Sequence, residues 1–402
     1  MKIAVVGGGA AGYFASVSAK KHFPNADVHL IEKTGKTLSK VKISGGGRCN
    51  VTHHCLNNRE LSQHYPRGER FLRKSFEQFS VADTITWFEQ HGVELKVETD
   101  NRMFPRTDDS QTIVETLTKA INEHGVILRL NSSVDSFAKQ NAGFILRITG
   151  QRELFNRVII ATGGSPKRQG MNWLSDIGVK VVSPVPSLFT FNIPQDHITT
   201  LMGVSTSDAE VQIVGKKLSS KGPVLITHWG LSGPAVLKLS AIGARILADC
   251  DYKFKVALSW VGMKEHQVRE ILELHSQNNS QKQIGNLHLF EIPKRLWSYL
   301  LVKSEIASDR TWNEISKKLQ NRLINLLVND TYNVNGKTTF KEEFVTAGGV
   351  ELSDVNPETM ESTEVTGLYF AGEVLDIDGI TGGFNFQAAW TTGFIAGKHV
   401  GR

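Results

Sequence analysis

The 402-residue sequence predicts a mixed α/β chain, a doubly wound parallel sheet interrupted by a β-rich insertion with a helical excursion. Three observations predict it. The chain opens on a strand–glycine turn–helix–strand unit of about 30 residues, the length of a βαβ crossover. It closes on another strand, glycine-rich turn and helix, GLYFAGEVLDIDGITGGFNFQAAWTTGFIAGKHV. Between them, from about residue 187 to 260, short β-rich runs parted by polar turns replace the alternation of strand and helix.

The elements follow in order. KIAVV is a short apolar strand; GGGAAG turns into a helical piece, YFASVSAKKHF, that ends at Pro24; ADVHLIEK alternates apolar and polar residues up to Glu32. From Arg70, Phe71, Phe76, Phe79, Ile85 and Phe88 recur mostly at three- and four-residue intervals, so FLRKSFEQFSVADTITWFEQHG is helical. Ser80 or Asp83 caps its second half and Gly92 stops it. VELKVETDNRMFP reads as strand and turn, TIVETLTKAINEHG as helix, and VILRL, FILRIT and RVIIATGG as strands.

In the insertion, LFTFNI, AEVQIVG, PVLITHWG and FKVALSW suit a small antiparallel sheet or barrel, broken by one helix-like piece, GPAVLKLSAIGARIL. HQVREILELH, PKRLWSYLLVKSEIA and WNEISKKLQNRLINLLV are helical, and strands return at YNVNGKTTFKEEFVTAGGV. These textures divide the chain into a discontinuous domain of residues 1–188 and 342–402, a β-barrel-like domain of 189–262 and 329–341, and a helical insert of 263–328.

Composition bounds the partners. Lys+Arg 46 against Asp+Glu 40 leaves +6, with no block of consecutive basic residues longer than a pair, so nucleic acid is disfavoured as a partner. Cys49, Cys55 and Cys250 fit neither a disulfide framework nor a common zinc spacing, and free thiols suit a reducing, cytoplasmic setting. His53, His54 and Cys55 have no further ligand at metal-binding spacing, so no metal is expected. No apolar run approaches the roughly 20 residues that cross a membrane, so none is expected.

Three motifs carry chemistry. In the first, Gly7-x-Gly9-x-x-Gly12 joins a strand to a helix: Gly7 permits the tight turn, Gly9 admits a pyrophosphate to the backbone, and Gly12 lets helix and strand pack closely. The helix N-terminus supplies free N–H groups to the phosphates. Glu32, 20 residues past Gly12, suits a ribose 2′-OH and 3′-OH and would repel a 2′-phosphate, favouring FAD or NAD. The second is VIIATGG, whose Thr162 and Gly163 lie where cofactors rest at the carboxyl edge of a parallel sheet. The third is Ala371-Gly372-Glu373 followed by Asp376, Asp378 and TGGFNFQ, which aims a second helix N-terminus, near Gly383, at the same cleft.

These motifs, with SGGGRCNVT, RMFPRTDDSQTIVETL, THWGLSGPAVLKLSA and VTAGGVELSDVNPETMES, resemble the BaiN/YhiN-type family of FAD-binding flavoproteins, in order along nearly the whole chain. The resemblance implies a Rossmann-like, glutathione-reductase-type FAD-binding domain interrupted by a small β-barrel and a helical insert. It implies bound FAD, a small-molecule substrate and, for some members, reduction of a carbon–carbon double bond in a steroid-like enone.

Carried onto this chain, Ala11 and Gly12 face the pyrophosphate and Glu32 with Lys33 the adenosine ribose. The loop of Lys42, Ser44, Gly45, Gly46, Gly47, Arg48, Cys49 and Asn50 lies along diphosphate, ribityl and flavin, its bare glycines admitting the cofactor and Arg48 with Lys42 offsetting phosphate charge. Val134 offers its backbone to adenine, Glu373 meets the ribityl–diphosphate region, and Asn385 with Phe386 the isoalloxazine edge. NAD(P)H stands as a candidate electron donor, although the sequence holds no second G-x-G-x-x-G for it. Two alternatives stay open: a tRNA-modifying or tRNA-binding flavoprotein, and a flavin-binding regulator without turnover.

Cys49 beside Arg48 is either a stabilised thiolate or a small packed residue. His228-Trp229 either stacks on substrate or forms a strand-to-helix junction, and Arg102 with Arg106 either binds an anion or lies in a solvated turn.

Overall fold

The structure, a computed structural model, describes residues 1–140, 143–165, 167–286, 289–339 and 345–402. It comprises two compact units, Met1–Ser187 with Phe340–Arg402, and Leu188–Thr339. The boundary expected between 341 and 342, and part of the YNVNGKTTFKEEFVTAGGV run, lie outside the described residues.

The first unit is built on a five-stranded sheet in the order Leu368–Phe370, Arg157–Ile160, Lys2–Val6, Asp27–Ile31, Ile127–Arg129. Every pairing is parallel. Helices cover both faces of such a sheet, which is why KIAVV and RVII are continuous apolar runs and Ile3, Ala4, Val5, Val158 and Ile159 are fully buried. The order reverses beside Lys2–Val6, leaving a cleft at the carboxyl ends of the strands. GGGAAG, Glu32, ATGG and AGE all follow directly on those ends.

Helix Ala10–His22 packs on helix Phe384–His399 through glycine. A Cβ on Gly393 would sit 2.6 Å from the Ala11 carbonyl oxygen, and one on Gly397 2.3 Å from that of Ala15. The Ser18 hydroxyl donates to the Phe394 carbonyl across this seam, at 2.7 Å. Along this seam the two helices run parallel, with the start of Ala10–His22 beside Gly393, about nine residues into helix Phe384–His399.

Two smaller sheets belong to this unit. A meander of Val134–Gln140, Gly143–Ile148 and Gln151–Phe155 includes two strands the sequence pattern missed, because VDSFAKQ and QRELF are largely solvent-exposed. Thr52–His53, Arg102–Pro105 and Leu95–Val97 form the other. Ser80 caps helix Val81–Gln90 in a reciprocal box with Asp83, so both expected capping residues take part.

The second unit holds a seven-stranded antiparallel sheet: Asp330–Asn335, Lys253–Ser259, Ser205–Ile213, Ser219–Thr227, Gly230–Ser232, Thr190–Asn192, Lys337–Thr338. Its two end strands are consecutive in the chain and part at Gly336, whose φ is +98°. The first half pairs with Lys253–Ser259 and the second with Thr190–Asn192. At the turn Gly336 bonds to both sides, accepting the Asn192 N–H at 3.1 Å and donating to the Tyr252 carbonyl at 2.9 Å, so segment 330–338 meets both ends of the sheet. Helices Glu265–Asn278, Lys294–Lys303 and Lys317–Asn329 share one apolar core with this sheet, through Trp260, Trp297, Trp312, Leu300 and Leu327. Among the described residues no helix is long and apolar enough to cross a membrane.

Candidate functional site

The site lies in the first unit, at the carboxyl edge of the parallel sheet. In the turn after Lys2–Val6 the glycines have different jobs. Gly7, at φ +114°, presses on the ATGG turn, where an added Cβ would come within 2.3 Å of the Ala161 carbonyl oxygen. A Cβ on Gly12 would lie 1.9 Å from the Gly7 carbonyl oxygen, so this glycine sets the helix–strand distance. Gly9 has an ordinary backbone conformation, and a Cβ there meets nothing within 4 Å among the described residues. Open space in front of Gly9, beside the uncapped N–H groups of helix Ala10–His22, would admit a pyrophosphate.

Glu32 borders it. Its Oε2 accepts the Gly8 N–H at 2.9 Å, and its Oε1 accepts the Thr34 N–H and hydroxyl, both at 2.9 Å. Oε2 keeps a spare lone pair, which suits a ribose hydroxyl. Lys33 is exposed beside it, and Val134 opens the meander, paired with Ile148.

The segment SGGGRCN folds as a broken helix. Ser39–Gly47 departs from helical geometry at Ser44, and Gly45, Gly46 and Gly47 follow at φ +59°, +69° and +85°. Three consecutive left-handed residues are tolerated only as glycine. A Cβ on Gly45 would strike Phe104 at 2.9 Å, whereas at Gly46 and Gly47 it meets nothing within 4 Å among the described residues. The last two therefore present bare backbone to open space, as Gly9 does. Ser110 donates to the Lys42 carbonyl at 2.6 Å and Ser44 to that of Val41 at 3.0 Å, pinning the loop from behind, while the Lys42 side chain is exposed.

The rest of this loop faces inward. The Arg48 guanidinium lies 2.6 Å from Glu98 and 3.5 Å from Asp108, and covers the Phe104 ring at 4.0 Å. Its charge, expected to offset phosphate, is engaged by those carboxylates. Arg102 pairs with Asp100 and Glu98, and Arg106 with Glu94, so both belong to the same charged surface. Cys49 is fully buried, and burial pushes its thiol up to about 12, which leaves the packed reading and removes the thiolate. Asn50, with its amide turned to satisfy both neighbours, donates to the Thr52 carbonyl and accepts the Gly383 N–H, each at 3.0 Å. It thereby ties the glycine loop to the start of helix Phe384–His399.

The third wall joins the other two. Gly372, at φ +75°, donates its N–H to Thr392 at 2.8 Å, and a Cβ on it would lie 2.7 Å from that of Ala11. Glu373 accepts the Thr346 N–H at 2.9 Å and pairs with Lys40 at 2.7 Å. Beside it Gly164 leaves no room for a Cβ, while Gly163 after Thr162 faces open space. The Thr346 hydroxyl is buried with no hydrogen-bond partner among the described residues, an atom that lacks its complement.

Asp378 is fully buried, ion-paired through both oxygens with Arg67 and accepting the Ser187 hydroxyl at 2.6 Å. Burial raises its carboxyl above the ordinary value, and Arg67 opposes that rise. The Asn385 side chain exchanges two hydrogen bonds with the Gly379 backbone, at 2.8 and 3.0 Å, and Phe386 stacks on Trp390. Gln387, fully buried, accepts from Thr52 and Thr84 and donates to Ser80 and Thr391. Asp378 and Asn385 thus fasten the loop that presents the Gly383 turn.

Lys40, Thr346, Arg67 and the glycine seam are absent from the sequence reading. Lys40 stood two residues from a candidate, and the Gly393-x-x-x-Gly397 spacing was visible. Arg67 gave no signal, since its partner lies 311 residues away.

Open backbone at Gly9, Gly46, Gly47 and Gly163, a ribose-type carboxylate and an orphaned hydroxyl fit an extended dinucleotide with a ring system at one end. Together with the reversed parallel sheet they define an FAD-dependent oxidoreductase. The chain belongs to the family described as HI0933-like protein Rossmann domain, which its residues 1–399 match.

It is 28% identical over 406 residues to the 3-dehydro-bile acid delta(4,6)-reductase of Clostridium scindens, covering 99% of this chain and 98% of the relative. It is 30% identical over 412 residues to the ribosomal RNA dihydrouridine synthase of Escherichia coli, covering 98% and 97%. The fold is shared with the 3-ketosteroid-delta4-(5alpha)-dehydrogenase of Rhodococcus jostii RHA1, at a TM-score of 0.52, 12% identity and coverage of 100% and 96%.

Proposed function

We propose that this protein reduces a carbon–carbon double bond conjugated to a carbonyl, in an apolar, enone-like small molecule. The observation that carries the reading is the match along 99% of the chain to a delta(4,6)-reductase, with the three walls of the cradle in place. FAD, when bound, supplies the two-electron hydride chemistry. The chain binds and orients it. Glu32 holds the ribose, the N–H groups ahead of helix Ala10–His22 and the bare Gly9 hold the diphosphate, and Gly46 and Gly47 admit the ribityl and flavin. Helix Phe384–His399 directs its positive end at the flavin edge, where it stabilises negative charge. The buried Arg67–Asp378 pair and Asn385 keep that end in position.

NAD(P)H is the proposed source of electrons. Anaerobic addition of NADH and NADPH to the purified protein is expected to bleach its absorbance near roughly 450 nm. A steroid-like enone should then restore the absorbance. Protein that holds FAD but is reduced by neither donor would replace this reading with that of a regulator without turnover.

A second reading places the double bond in a uridine of ribosomal RNA. The base also carries a double bond conjugated to a carbonyl, and the Escherichia coli relative, 30% identical, favours it. Dihydrouridine formed in added ribosomal RNA, with enones inert, would select this substrate.

A further inference from the structure

The chain's charge is unevenly placed. Residues 188–339 hold 18 Lys+Arg against 13 Asp+Glu, and the remainder 28 against 27, so the second unit carries +5 of the net +6. Within it, segments far apart in sequence converge on one sheet face.

In strand Lys253–Ser259, Lys253 and Lys255 are exposed and Val256 and Leu258 buried; in Asp330–Asn335, Thr331, Asn333 and Asn335 are exposed and Asp330, Tyr332 and Val334 buried. The register sets Lys253 opposite Asn335 and Lys255 opposite Asn333. On the other side the Val214 N–H donates to the Lys255 carbonyl at 2.9 Å, which brings the hairpin tip holding Lys216 and Lys217 beside this row. Lys221 follows on the next strand, paired with Glu210 at 3.4 Å. Asp249 and Asp251 lie in the turn leading into Lys253.

Lys216, Lys217, Lys253 and Lys255 are exposed and have no acidic partner within ion-pair distance among the described residues. Lys253, Lys255, Asn333 and Asn335, with Phe254 and Val334 between them, line a shallow depression on this face. Lys253 and Lys255 are about 7 Å apart along one face of their strand. Cations at that spacing, alternating with amides that both donate and accept, suit a polyanion with hydroxyls between its charges.

We propose that this face of the second unit binds the phosphate–ribose backbone of RNA. The proposal rests on the uridine reading above and names the surface that would hold such a substrate. Phosphates supply the charge complement to the lysines, and the asparagine amides suit ribose hydroxyls and phosphate oxygens. The Phe254 ring packs edge-on against Phe191 and is not presented for stacking on a base. Binding through this face is therefore backbone-directed and tolerant of sequence.

The test uses the FAD-loaded full chain and fluorescence anisotropy with purified ribosomal RNA fragments. One variant is K216E/K217E/K253E/K255E, and a charge-matched control is K282E/K294E/K317E/K318E at exposed positions elsewhere in this unit. The face variant is expected to bind at least about tenfold more weakly, and its log–log salt slope should flatten by about 3, at roughly 0.7 per lost phosphate contact. The control should lose much less, and both should retain FAD and their melting temperature. Equal losses in the two variants, or no loss in the face variant while wild type binds RNA, overturn the proposed surface and leave the uridine reading standing. Wild type that binds no RNA at low salt overturns both. Binding to phosphatidylserine vesicles in place of RNA overturns the choice of partner.

Discussion

The first unit uses glycine in two regions for opposite reasons. At the seam between helices Ala10–His22 and Phe384–His399, Gly393 and Gly397 are glycine because neighbouring backbone already occupies the space of a Cβ. At the cradle, Gly9, Gly46 and Gly47 are glycine although that space is empty. Packing explains the first set completely. Left-handed backbone also calls for glycine at Gly46 and Gly47, whereas Gly9 has ordinary backbone angles, so the empty room beside Gly9 is what points to a ligand most sharply.

Four variants or treatments would break or sharpen this contrast. The largest effect belongs to the seam: Gly393→Leu forces a side chain into the Ala11 backbone and should cost on the order of 4 kcal/mol, with loss of soluble protein and of FAD together. Denaturant melts and expression yield read it. Arg67→Met comes next, since it leaves the Asp378 carboxylate buried without its partner, at about 3–4 kcal/mol near neutral pH. The sign with pH is fixed. A carboxyl raised in the folded state opposes folding once ionised, so the loss should shrink as pH falls through its raised value, in melts from neutral to acid.

Gly46→Val separates the two kinds of glycine. Its left-handed backbone costs about 1–2 kcal/mol with a side chain, but no neighbour is struck, so the chain should fold and lose FAD. A folded variant with full flavin content would return this loop to a mere connector. The smallest effect is at Cys49. With its thiol at about 12 and its surface buried, it should resist maleimide in the native protein while the exposed Cys250 reacts, and FAD content should not change.

Much of this was legible in the sequence, for a local reason. A strand, a glycine turn and a helix leave their periodicities in neighbouring residues, so GGGAAG, ATGG and AGE could be set on strand ends before any coordinates. What long-range contact decides was not legible. Asp378 read as a cofactor-facing acid because Arg67 is distant in sequence; Arg48 read as a phosphate partner because Glu98 and Asp108 are brought to it by a separate three-stranded sheet. Asn50 and Asn385 read as flavin ligands, yet their amides hold Gly383 and Gly379. The basic face escaped notice because no run of lysines forms it; strand pairing gathers Lys216, Lys217, Lys253 and Lys255 from separate segments.

One measurement bears on the cradle most directly: the FAD dissociation constant of Gly9→Ala, set beside the melting temperature of its flavin-free form. Gly9 has ordinary backbone angles and room for a methyl group, so the flavin-free protein should melt within about 1–2 °C of wild type, as expected of a change that touches no neighbour. FAD should bind at least about tenfold more weakly, because the methyl group takes the space of the diphosphate. Unchanged FAD affinity in a normally folded Gly9→Ala protein would contradict the assignment of this cleft to the cofactor.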